Sequence, residues 1–159
     1  MMKRILLVCT GNICRSPLAE ALMRRTLYER GVTGIEVSSA GIGAWDGAPA
    51  SEGAYLVGLE QELDLSGHRA RLLTRDLVEQ SSVILTMARH HRARVDELGG
   101  EGRVFVLGEY AGRSGEAAEV SDPFGGDLDV YRDTCAELAT LVAAAVDRIV
   151  TEAGRGDRR

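Results

Sequence analysis

Residues 4–21 read RILLVCTGNICRSPLAEA, and two changes of character within this stretch decide the fold. The opening RILLVC is leucine-rich with β-branched residues and stops short of Gly11, the pattern of a strand buried on both faces. From Ser16 onward Leu18, Ala21 and Leu22 recur at helical spacing, with Arg24, Arg25 and Glu29 off that face. Pro17 suits a first helical turn and Gly31 a helix end. Between strand and helix the chain must curl, and Gly11 and Asn12 permit left-handed backbone there. Successive N–H groups then turn inward and form an anion nest at the helix N-terminus.

Outward from this unit, strand and helix patterns alternate. Residues 35–38 form a second short strand, 40–49 a Gly-rich loop, and 51–62 a helix. A helix start at 74–77 precedes strand three at 82–86, followed by a charged helix at 89–98 and strand four at 103–107. Residues 108–126 are acidic and Gly-rich, long enough to suggest a functional loop. Asp127 opens a final helix towards Val150, and 151–159 read as a flexible tail. The expectation is one domain over residues 1–150: an α/β fold with an open four-stranded parallel sheet and helices on both faces. Such sheets bind ligands at the carboxyl ends of their strands, which directs attention to the loop after Cys9.

Composition agrees. A chain of 159 residues with 45% hydrophobic and 27% charged content is ordinary globular usage with one core. No apolar run approaches the ~18 residues of a membrane span. The basic start Met1-Met2-Lys3-Arg4 is followed by too short an apolar run for a signal peptide, so a cytoplasmic location is expected. Three cysteines, an odd number, argue for reduced thiols rather than a disulfide scaffold. A net charge of −5 speaks against a nucleic-acid partner.

The loop carries the chemistry. It has no lysine, so the nucleotide-binding pattern G-x-x-x-x-G-K-[ST] does not fit. Instead Cys9 and Arg15 stand in a C-x5-R spacing, which sets a thiol among aligned amides and a guanidinium. That environment favours the thiolate, the nucleophilic form.

Here the sequence resembles the low-molecular-weight protein tyrosine phosphatases. The family's N-terminal signature, V-C-x-G-N-I-C-R-S-P-x-A-E, is matched by VCTGNICRSPLAE at residues 8–20, and its late Asp-Pro-aromatic signature by Asp122-Pro123-Phe124. Ser39-Ala40-Gly41, Trp45 and His68-Arg69-Ala70-Arg71 correspond as well, so the resemblance runs to about Val150. It implies a cysteinyl-phosphate formed on Cys9, with Arg15 and the amides of the phosphate-binding loop (Thr10, Gly11, Asn12, Ile13, Cys14) holding the phosphoryl oxygens. By the same resemblance Asp122 is the general acid and base, Ser16 bonds the Cys9 sulfur, and Asn12 braces the loop through Ser39 and His68. Trp45 and Phe124 would wall the substrate ring, and Cys14 would guard Cys9 through a disulfide, making the enzyme redox-sensitive. No metal or organic cofactor is called for. The expected partner is a phosphorylated protein or peptide, with inorganic phosphate or a similar oxyanion in the loop.

Substrate class turns on details. Asp122-Pro123-Phe124-Gly125-Gly126 is similar to bacterial members, some of which are protein arginine phosphatases with threonine at the place of Ile13. An apolar Ile13 offers no hydroxyl for a guanidinium or its water, which favours phosphotyrosine and leaves phosphoarginine as the alternative. Arsenate reduction needs a relay of further cysteines, and beyond Cys14 only the distant Cys135, read as packing, remains. A non-catalytic phosphoprotein-binding module requires neither Cys9 nor Asp122. The arginines and histidines of residues 89–94 read as a solvated helix face.

Overall fold

The computed structural model describes residues 3–157. In chain order the elements are β1 (Lys3–Cys9), α1 (Arg15–Glu29), β2 (Ile35–Gly41), α2 (Glu52–Glu60), α3 (Arg75–Gln80), β3 (Val83–Thr86), α4 (Arg89–Glu97), β4 (Val104–Val106), α5 (Leu107–Tyr110), a 3-10 turn at Gly115–Ala118, and α6 (Leu128–Asp157). All four strands are parallel in the order β2-β1-β3-β4.

The alternation of β1 feeds two cores. Ile5, Leu7 and Cys9 face α1 and α6, packing with Leu18, Leu22, Leu138, Leu141 and Val146. Leu6 and Val8 point the other way, onto Ile84, Val104, Val78 and Val95 under α3 and α4. A strand with no solvent face therefore reads as a continuous apolar run. Each fully buried leucine or isoleucine of this kind contributes about 1.5–3 kcal/mol of transfer free energy.

Strand order positions the site. After β1 the chain builds β2 on one side, then crosses to β3 on the other, so the segments leaving β1 and β3 part at their carboxyl ends and open a crevice. The loop after Cys9 occupies it. Val120 is pinned beside the crevice by its N–H to the carbonyl of Met87, 2.9 Å away, which continues β3.

Two boundaries differ from the sequence reading. The 108–126 stretch is not bare loop: it carries most of α5 and the 3-10 turn, and the two pack so closely that a Cβ on Gly108 would stand 2.0 Å from the Ala118 carbonyl oxygen. The final helix passes Val150 and runs to Asp157, so residues 151–157, expected as a flexible tail, are helical. Glu152 anchors this extension, accepting from Tyr110 Oη at 3.1 Å and Arg148 Nε at 2.8 Å. Residues 158–159 lie outside the described residues. Among the described residues no helix is long and apolar enough to cross a membrane.

Candidate active site

Asn12 sets the shape of the loop. It takes φ +57°, a left-handed conformation that asparagine tolerates, and its side chain is fully buried. Both amide hydrogens are used, Nδ2 donating to Ser16 Oγ at 2.8 Å and Ser39 Oγ at 2.9 Å. Oδ1 accepts the N–H of Arg71 at 3.0 Å, and the Asn12 carbonyl lies 2.7 Å from His68 Nε2. Ser39 passes its own hydrogen to Glu20 at 2.7 Å. The segment that brings His68 and Arg71 is laid along the end of β2, where Gly41 bonds the backbone of Arg71 and Leu73.

The proton directions in this network settle on Cys9. Its Sγ is 2.9 Å from Ser16 Oγ and 3.3 Å from the N–H of Asn12. Ser16 already accepts from Asn12 Nδ2, so its hydroxyl hydrogen is free to point at the sulfur. A thiolate at Cys9 thus receives two donors without moving an atom, and such charge-assisted bonds are the stronger kind. Cys14, five residues on, is set differently. Its Sγ lies 3.1 Å from Ser51 Oγ and 3.5 Å from Tyr131 Oη, and burial pushes its thiol up from the ordinary range. The two loop cysteines are therefore unequal.

Arg15 opens α1, a helix with no side-chain cap and no acidic residue in its first turn. Its guanidinium is buried, with Nη1 donating to the Val120 carbonyl at 2.9 Å and Nη2 to Thr10 Oγ1 at 3.4 Å. Asp122 is half-exposed, its carboxylate 3.6 Å from Arg15 Nη2 and held by the N–H of Phe124 at 3.1 Å. Cys9, Thr10, Gly11, Ile13, Cys14 and Arg15 from the loop, with Asp122 and Phe124 from the facing segment, line an open cavity of about 190 Å³. That space admits a phosphoryl group and the first atoms of what it is attached to.

Of the two expected walls, Phe124 lines this cavity and Trp45 does not; Trp45 is 84% exposed on the loop after β2. That loop is nonetheless tied to the site, Gly43 donating to the Thr10 carbonyl at 2.9 Å. His91 departs from the solvated face expected for residues 89–94. It is fully buried, with Nε2 2.9 Å from Thr10 Oγ1 and Nδ1 accepting the N–H of Ala88 at 3.0 Å. No motif marks His91, and Arg71, though it lies in the matched stretch His68-Arg69-Ala70-Arg71, serves Asn12 through its backbone N–H. Cys135 packs in the core as expected. Among the described residues no group of three His, Cys, Asp or Glu side chains is arranged to hold a metal ion.

The family model described as low molecular weight phosphotyrosine protein phosphatase matches residues 4–153. The chain belongs to that family. This phosphatase resembles a probable low molecular weight protein-tyrosine-phosphatase EpsP of Ralstonia solanacearum, at 40% identity over 94% of this chain and 97% of the relative. It is 36% identical to a protein-arginine-phosphatase of Geobacillus stearothermophilus over the same shares. Among solved structures, that of a YwlE mutant from Bacillus subtilis superposes with a TM-score of 0.86 at 34% identity, covering 92% of this chain and 98% of that one. The fold and the membership of a phosphatase family expected from the two signatures are both borne out.

Proposed function

We propose that the protein hydrolyses phosphotyrosine in proteins or peptides through a phosphocysteine at Cys9. The observation that carries this reading is the Cys9 sulfur, flanked by the Ser16 hydroxyl and the Asn12 N–H, in a cavity that also holds Arg15 and Asp122. The Cys9 thiolate attacks phosphorus in line with the ester oxygen; the S–P bond forms as the P–O bond breaks. Asp122 gives its proton to the leaving oxygen. Arg15 and the loop amides, Thr10 to Cys14, hold the equatorial oxygens as charge develops. A water then attacks the phosphocysteine, Asp122 takes its proton, the S–P bond breaks and inorganic phosphate is released.

The cavity lining supports the choice of substrate class. Ile13 and Phe124 supply its apolar lining, which suits the flat ring of a phenol better than a hydrated guanidinium. Trp45, exposed beyond the cavity, would meet the protein that carries the phosphate. Likeness to protein-arginine-phosphatases supports phosphoarginine as the second reading. Turnover of matched phosphotyrosine and phosphoarginine peptides by the parent and by Ile13→Thr separates the two. The parent should prefer phosphotyrosine and the variant should shift towards phosphoarginine; a parent that already prefers phosphoarginine refutes the choice. The three cysteines are free thiols, which suits a reducing, cytoplasmic setting, and Cys14 is the natural partner for an oxidised Cys9.

A further inference from the structure

The His91 ring and the Thr10 hydroxyl form a pair that the reaction described above does not use. His91 Nδ1 accepts the N–H of Ala88, and an imidazole nitrogen that accepts carries no proton. The ring proton of the neutral imidazole therefore sits on Nε2, which donates to Thr10 Oγ1 at 2.9 Å. Burial, with His90 and Arg15 adding to it, holds the His91 pKa down at about 3, so the ring stays neutral in working conditions. Arg15 has no acceptor atom, so its 3.4 Å contact to the same oxygen is a second donation. Both lone pairs of the Thr10 hydroxyl are then taken, and its hydrogen is left to donate elsewhere. Thr10 is exposed and lines the cavity.

We infer that His91 is a positioning residue: by donating to Thr10 it turns the threonine hydroxyl into an oriented O–H donor for the phosphoryl group, beside the loop amides and Arg15. The inference rests on the phosphatase reading and deepens it. A ring turned the other way would present carbon to the Ala88 N–H, so the backbone of the β3–α4 turn fixes the orientation that Thr10 depends on.

Two readouts test this. The first is binding of inorganic phosphate to proteins in a Cys9→Ser background, by titration calorimetry, which needs no turnover. The second is kcat/KM for phenyl phosphate with Cys9 intact. Thr10→Val, which keeps the branched shape and removes the hydroxyl, should lower both roughly ten- to a hundredfold, the range for one hydrogen bond to a charged group. Thr10→Ser should restore most of the loss. His91→Gln should lower both in the Thr10 protein and cause no further loss in Thr10→Val, because it acts through that hydroxyl. Equal phosphate affinity for Thr10→Val and Thr10→Ser overturns the inference, and so does a His91→Gln loss that persists in full on top of Thr10→Val. The first comparison stands even where His91→Gln fails to fold. A Cys9→Ser protein that still hydrolyses phenyl phosphate would overturn the phosphatase mechanism instead, whatever Thr10 does.

Discussion

Stability at mildly acid pH should depend on His91. In the folded protein its pKa lies at about 3, held down first by burial and then by His90 and Arg15. In the unfolded chain it returns to ~6.5. Between these values the unfolded state binds a proton that the native state does not, so stability falls as pH falls from about 6.5 towards 3, and above that window the group contributes nothing. Each pH unit inside the window is worth about 1.4 kcal/mol, or about 2.5 kcal/mol between pH 7.5 and 4.5. His91→Gln removes the titration. The variant should begin less stable at pH 7.5, having lost buried hydrogen bonds worth about 1–3 kcal/mol. Its deficit should then shrink by about 2.5 kcal/mol at pH 4.5, because the parent loses that much more. Urea unfolding of both proteins at the two pH values measures the difference directly, and carboxylate titrations common to both cancel. A gap between parent and variant that stays constant across this range refutes the neutral, buried histidine.

Three further expectations concern the loop. Arg15→Lys should lose most activity on aryl phosphates, at least a hundredfold by the usual scale of a forked contact to phosphoryl oxygens (~3 kcal/mol), since a point charge does not reproduce it; near-parental steady-state rates would reduce Arg15 to a helix-start charge. Gly41→Ala would set a Cβ 2.4 Å from the Thr10 carbonyl and 2.9 Å from the Asn12 nitrogen, both backbone atoms, so loss of phosphate binding and a lowered Tm are expected, and an unperturbed variant would contradict the packing. Mild peroxide should inactivate the parent reversibly, with Cys14 capturing the oxidised Cys9 and releasing water, whereas Cys14→Ala should be lost irreversibly; equal recovery of both proteins with added thiol would remove that role from Cys14.

The β1–loop–α1 unit was legible because its local pattern and its tertiary setting agree: a strand with no solvent face is apolar throughout, and a loop that must curl carries Gly11 and Asn12. The partners Ser16, Ser39 and His68 came through resemblance, and the structure gathers all three on Asn12. What stayed hidden depends on long-range packing without a local trace. His91 sits among Arg89, His90, Arg92 and Arg94, a charged neighbourhood that reads as solvated, yet the β3–α4 turn sinks it against Thr10, 81 residues earlier. Arg71 contributes a backbone N–H, which no side-chain pattern encodes. The last turns of α6 carry glycines and look frayed, but Glu152 finds Tyr110 and Arg148 and holds the helix on. Trp45 illustrates the reverse: a residue matched by resemblance whose ring lies outside the cavity.

The central claim is that phosphate passes through the sulfur of Cys9. Asp122→Ala with p-nitrophenyl phosphate tests it most directly, because this leaving group departs without a proton while the second step still needs a base, so the intermediate should accumulate. Acid quenching after mixing, followed by peptide mass spectrometry, should find one phosphoryl group on the peptide holding Cys9, bound to that thiol. A phosphoryl group on any other residue, or turnover by Cys9→Ser at the rate of the parent, would contradict the account.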